Sequence, residues 1–187
     1  MASKVVQLVF VVLGAIGLMG AIICCALPEW IVGHSEDMEV HIGLWKVCPK
    51  HSSGLQICGT RNTYESSEFH AFRALTVISC MLGVLSLLLM FFGSDFTPYV
   101  QNQDNKSKMI LAAGVGLMLA GLLLITPVSW ISYDFRNGIE GIKLGASVYI
   151  GFLSGLMLML IGGGLCYVIR SGSSSSGAII SIFSNRA

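Results

Sequence analysis

The side chains of this chain best suited to chemistry are six cysteines and four histidines, and they are unevenly placed. Cys24, Cys25, Cys80 and Cys166 fall inside apolar runs. Cys48 and Cys58 fall outside them, in the polar stretch that also holds His34, His41, His51 and His70. Two cysteines so isolated and so close in sequence read as a disulfide, which persists only in an oxidising compartment. No two histidines have metal-ligand spacing, so the plain reading is ordinary loop side chains rather than a metal or pH-sensing site. There is no Ser-His-Asp set, no HExxH and no glycine-rich loop after a strand. No catalytic residue, metal or cofactor is expected, and the chain does not read as an enzyme.

What must position these residues is a membrane. Val5 to Leu27, Ala74 to Gly93, Met109 to Val128 and Leu144 to Ile169 carry no charge. Each reaches the roughly 20 apolar residues that cross a hydrocarbon core about 30 Å thick. The 187 residues are 54% hydrophobic and 11% charged, against about 25% charged in a soluble domain. One tetraspan domain, 1–169, with a tail at 170–187, is therefore expected. The first run exceeds the h-region of a cleavable signal and ends without an A-x-A-like site, so it reads as a retained span. The net charge of +1 and the lack of a basic cluster give no reason to expect nucleic acid. Ionisable residues inside spans mark transport paths, and these spans have none, so a solute route through one bundle is not expected.

Four spans put both termini on one side and the loops 28–73 and 129–143 on the other. Lys and Arg distribute almost evenly between the sides, and long loops translocate largely regardless of charge. The cysteine pair decides, placing both loops outside the cell and both termini in the cytoplasm. The longer loop reads as mainly β. Trp30-Ile31-Val32, the alternating Met38 to Lys46 and Leu55-Gln56-Ile57 are separated by polar, turn-rich stretches. A small extracellular antiparallel sheet between spans one and two, standing on an all-α four-helix bundle, is the expected fold. Tyr64 to Phe72 reads as a short helix leading into span two. The tail, with Ser173 to Ser176 between two glycines, reads as flexible. Gly14, Gly17 and Gly20, and the Gly151–Gly155 GxxxG pair, read first as close packing within the bundle.

The outer loop contains Trp30, then Gly43-Leu44-Trp45, then Cys48 and Cys58. This W…GLW-x-x-C…C pattern resembles the signature of the claudins and of their wider four-span superfamily, which includes the peripheral myelin protein branch. Arg73-Ala74-Leu75, Pro127-Val128-Ser129-Trp130, Asp134-Phe135-Arg136-Asn137 and Leu144 to Gly151 also resemble claudin segments, from Met1 to about Tyr167. Trp30 and Trp45 suit the membrane interface, where indole keeps one side wet. With Gly43, Leu44 and Arg73 they are expected to anchor the sheet, Arg73 as partner of a loop carbonyl or an acid. A Cys48–Cys58 bridge would close a loop of about 11 residues and contribute roughly 3 kcal/mol by loop entropy.

The resemblance implies a structural tight-junction protein of the plasma membrane. It implies association with itself and with other claudins, side by side and across cells, in contact with membrane lipid, to form a paracellular barrier or ion-selective channel. Phe135, in its Asp-Phe-x-Asn segment, is the candidate lateral contact. Lys50, His51 and Arg61 are candidates for the paracellular path, and Gly59 is neutral where claudins often carry a charge. Departures are also visible. The stretch from Trp30 to Gly43 is shorter than in most claudins, and Ile42 stands where their Glu would be. The final Ser184-Asn185-Arg186-Ala187 lacks the apolar end that PDZ grooves capture, so PDZ scaffold binding is not expected. The alternative is a regulatory or adhesive tetraspan that forms no strands, like the myelin branch or channel accessory subunits.

Overall fold

A computed structural model describes residues 4–35, 38–51, 58–60, 67–94, 103–138 and 142–184. Four long helices carry the apolar runs: α1 (Lys4–Ala26), α2 (Ser67–Gly93), α3 (Gln103–Gly138) and α4 (Ala146–Ser184). All four are long and apolar enough to cross a membrane. Each packs on two neighbours, α1 on α2 and α4, and α3 on α2 and α4. Lipid-facing leucines, valines and isoleucines remain exposed around the outside, as they must where the surroundings are as apolar as the core.

With no hydrophobic drive between helices in lipid, close approach must hold the bundle. Gly121 and Gly155 meet across α3 and α4. A Cβ on Gly121 would lie 2.6 Å from the Gly155 oxygen and 2.7 Å from Met159 Cγ. One turn pair away, a Cβ on Gly162 would strike the Gly114 carbonyl. Gly151 fits against Cys24 and Val128, Gly17 against Leu158 and Gly20 against Ser154. These glycines face neighbours inside the one bundle. Several polar side chains of the spans find partners there, although the buried Ser147 Oγ has none. Ser79 Oγ donates to Ala120 O at 2.6 Å across α2 and α3, while Thr76 and Ser86 donate to the carbonyls of Phe72 and Leu82 on their own helix.

Above the bundle stands an antiparallel sheet of β1 (Ile31–Ser35), β2 (Met38–Ile42), β3 (Lys46–His51), β4 (Gly59–Thr60) and β5 (Ile142–Leu144). The order is β4-β3-β2-β1-β5. The first four strands lie between α1 and α2, and the Cys48–Cys58 disulfide joins β3 to the segment entering β4, with Cα atoms 4.1 Å apart. The expected strand at 55–57 lies outside the described residues, as do residues 36, 37 and Arg61.

Four boundaries differ from the sequence reading. Leu144 belongs to a strand, not to span four: it pairs with Ile31, and α4 begins at Ala146. α3 does not stop at Val128 but runs on to Gly138, so 129–138 is helix rather than loop and Phe135 lies on that extension. The reason is that burial keeps its helical period through Pro127: Leu124, Val128 and Ile131 are all buried. The expected short helix before span two has no break from it, and α2 is continuous from Ser67. The tail read as flexible continues α4 to Ser184. It contains no proline to end the hydrogen-bond ladder, although its serines and glycines favour helix little.

Gly121→Val is expected to lower the stability of the detergent-solubilised protein by about 1–3 kcal/mol, because two of the three nearest atoms, Gly155 O and Met159 N, are backbone and cannot yield. Gly163→Ala is the control, since a Cβ there meets nothing within 4 Å. Thermal unfolding of both variants checks this. Equal midpoints would mean that the α3–α4 approach is looser than described.

Candidate functional site

The last turn of any helix leaves four carbonyls without a partner inside that helix. In α1 these are the carbonyls of Ile23, Cys24, Cys25 and Ala26, and they end under the sheet. Leu27 N–H takes the Ile23 oxygen at 3.0 Å. Trp30 Nε1 donates to the Cys24 oxygen at 3.0 Å. Trp45 Nε1 donates to the Cys25 oxygen, also at 3.0 Å. The two indoles thus cap the negative end of the α1 dipole from outside the helix. Trp30 is fully buried in the core cluster shared by sheet and bundle, with Ile31, Leu44, Phe72, Val128, Ile131 and Val148. Trp45 keeps one side exposed.

The turn joining β2 and β3 brings Trp45 there. Gly43 N donates to Lys46 O at 2.8 Å, which closes the turn. A Cβ on Gly43 would collide with the Pro28 backbone, so only glycine lets the turn press this close. Leu44 is buried as the plug beneath it. Arg73, in the second turn of α2, donates from Nε to the Leu44 oxygen at 2.6 Å. Its guanidinium carbon lies 5.2 Å from the Trp45 ring centre, in cation–π range. One cation therefore holds the turn by its backbone and by its indole.

The same segment serves a second helix. Trp30 N donates to Ile42 O at 3.0 Å, and Trp30 O accepts from Gly145 N at 3.0 Å. Glu29 O accepts from Ser147 N at 3.2 Å, which satisfies one of the free N–H groups opening α4. A Cβ on Gly145 would collide with the Glu29 carbonyl. The strand entering β1 therefore runs between two glycines, Gly43 on one flank and Gly145 on the other.

Trp30, Gly43, Leu44, Trp45 and Arg73 are brought together in this one joint. Cys48 and Cys58 lie higher, in the sheet. Lys50 is exposed on β3, and His51 ends that strand. Phe135 is on the far part of α3. Gly145 carries no site role in the sequence reading. The resemblance of the Leu144 to Gly151 segment is the one sequence signal for it. His41 Nδ1 lies 3.9 Å from Glu29 Oε1. Among the described residues no three His, Cys, Asp or Glu side chains converge as a metal site. What the joint can do is mechanical: it fixes a sheet to two helix ends.

Arg73→Ala is expected to cost about 1.5–3 kcal/mol, the range for a charge-assisted hydrogen bond. Arg73→Lys should recover only part of this, because the flat stack on Trp45 is lost. Thermal unfolding, with Trp fluorescence reporting the joint, checks both. An unchanged midpoint for Arg73→Ala would show that the turn is held without it.

The family model described as the PMP-22/EMP/MP20/Claudin family matches residues 4–166. Similar curated proteins include Claudin-4 of Homo sapiens, 33% identical over 185 residues that cover 89% of this chain and 87% of that protein. Claudin-9 of Homo sapiens is 37% identical over 171 residues, 81% of this chain and 77% of its own length. Claudin-like protein ZF-A89 of Danio rerio is 34% identical over 186 residues, covering 89% and 88%. Matched across both spans and sheet, and carrying the W…GLW…C…C joint in folded form, the chain belongs to the PMP-22/EMP/MP20/Claudin family.

Proposed function

We propose that this protein is a structural component of tight junctions. Copies associate side by side in the plasma membrane into strands, with other claudins as co-assembling partners. Their outer sheets close the space between cells or let selected ions through it. The observation that carries this reading is the joint. A sheet bonded at its base to the ends of α1 and α4 and to α2 is held at a set height and orientation over the bilayer. That is what a surface needs if copies are to meet in register. The disulfide within the sheet supports an extracellular placement with both termini inside.

The extension of α3 past the span supports a lateral role for Phe135. It carries that residue about 10 Å beyond Val128 along the helix, at 1.5 Å per residue. Lys50, His51 and Arg61 are proposed to act on ions in the path.

In cells lacking tight junctions, the expressed chain should concentrate at cell–cell contacts and show continuous intramembrane strands by freeze-fracture. Monolayer resistance or ion preference should change with it. A folded, surface-delivered protein that forms no strands would instead fit the regulatory tetraspan reading. Phe135→Ala should shorten or abolish strands and reduce crosslinking between copies, with surface delivery intact. Unchanged crosslinking would move the lateral contact elsewhere.

A further inference from the structure

The glycine contacts between α3 and α4 give the register of these two antiparallel helices. Gly121 meets Gly155 and Gly114 meets Gly162, so each step back along α3 matches a step forward along α4. Gly114 also meets Leu165 and Cys166. Continued toward the same end, this register brings Lys108 of α3 level with Arg170 of α4. Both side chains are exposed. Lys108 immediately precedes the apolar run from Met109, and Arg170 immediately follows the run ending at Ile169. Both therefore stand at the level of the lipid headgroups.

Helical spacing decides which side they face, since residues three, four and seven apart share a face. Lys108 shares the face of Leu111 and Val115, and Arg170 that of Leu156, Leu160 and Gly163. The leucines and the valine on this face are exposed. α2 meets α3 at Gly116 and Ala120, and α1 meets α4 at Ser154 and Leu158, so both supporting helices lie on the opposite side of the pair. The open side is a groove with lipid as its surroundings. Gly163 leaves a notch in it, because a Cβ there would meet nothing within 4 Å. Lys106 shares instead the face of the buried Ala113 and Leu117, and is only half-exposed.

We propose that this groove binds one acidic phospholipid: Lys108 and Arg170 hold the headgroup anion, and an acyl chain lies over Gly163. Helices packed at glycines have axes roughly 8 Å apart, so two long side chains at one level reach a single phosphate. The guanidinium offers it paired N–H donors, and the ammonium a point charge. The stretches 103–108 and 167–184 hold three cations, Lys106, Lys108 and Arg170, against one acid, Asp104. In the orientation proposed above, this end meets the cytoplasmic leaflet, where acidic lipids concentrate. A sterol has no anion for the two cations, and a second copy seated on the notch would bring cations against cations. The site lies within one protomer and does not depend on strand formation.

The test is native mass spectrometry of the detergent-solubilised full chain, titrated with phosphatidylserine, phosphatidylcholine or cholesterol. One phosphatidylserine should be retained in preference to phosphatidylcholine. Lys108→Gln and Arg170→Gln should each lower that preference about fivefold, as expected for one basic side chain at a headgroup. Lys106→Gln should leave it nearly unchanged. Gly163→Leu should fill the notch and weaken retention of both phospholipids, with the thermal midpoint preserved. Equal retention of the two phospholipids by the unaltered chain overturns the proposal. So does a Lys106→Gln effect equal to that of Lys108→Gln, which would mean diffuse attraction to the membrane surface. Displacement of the lipid by soluble glycerophosphoserine would reduce the site to a headgroup pocket and sink the groove. Cholesterol retained more tightly than phosphatidylserine, or a dimer lost in Gly163→Leu, would give the groove a different occupant.

Discussion

The carbonyls at the end of α1 are the constraint on which the rest of the molecule is built. A helix leaving a membrane ends in oxygens that need donors, at a level where water is scarce and the helix dipole adds negative charge. Here two indole N–H groups supply donors to Cys24 and Cys25. One comes from the residue that opens the sheet and the other from the turn between its second and third strands. Satisfying the helix therefore also fixes the sheet. Indole suits the task because it offers one donor and a large apolar body, so it can plug a core and cap a helix together.

The other parts of the signature follow from that geometry. Trp45 reaches Cys25 only if its turn lies against Pro28, so residue 43, which opens the turn, is glycine. Leu44 fills the space under the turn, and its carbonyl, facing inward, needs a donor. Arg73 provides one from α2 and stacks on the same indole. Gly145 lets α4 start against the Glu29 carbonyl. Three helices thus meet at Glu29, Trp30 and one turn. The bundle beneath is held by backbone-to-backbone approach at glycines, since lipid offers no drive to bury leucine.

The four spans were legible because an uncharged run of that length has one stable form in lipid, a helix with every backbone group paired internally. The anchoring residues were legible as types: two tryptophans, a glycine, a leucine and an arginine. Their partners were not, because the acceptors are backbone carbonyls, which every residue carries alike. β5 escaped because three residues at the head of an apolar run, Ile142-Lys143-Leu144, show no pattern of their own until Ile31 lies beside them. The extension of α3 was hidden by a change of composition at Ser129, although Leu124, Val128 and Ile131 keep the helical period across it.

Lys50 and His51 show the division most plainly. Adjacent in sequence and both basic in type, they read as one patch. The pleat of β3 assigns them to opposite register sets, and groups Lys50 instead with Lys143, nearly a hundred residues away. Partition into spans, loops and oxidised cysteines needs only each segment's own affinity for lipid or water, so it is written locally. Which lysines share a face, which carbonyls meet which indoles and where a helix ends depend on neighbours distant along the chain. Those were decided by folding, because hydrogen bonds and pleats act between segments that only the fold brings together.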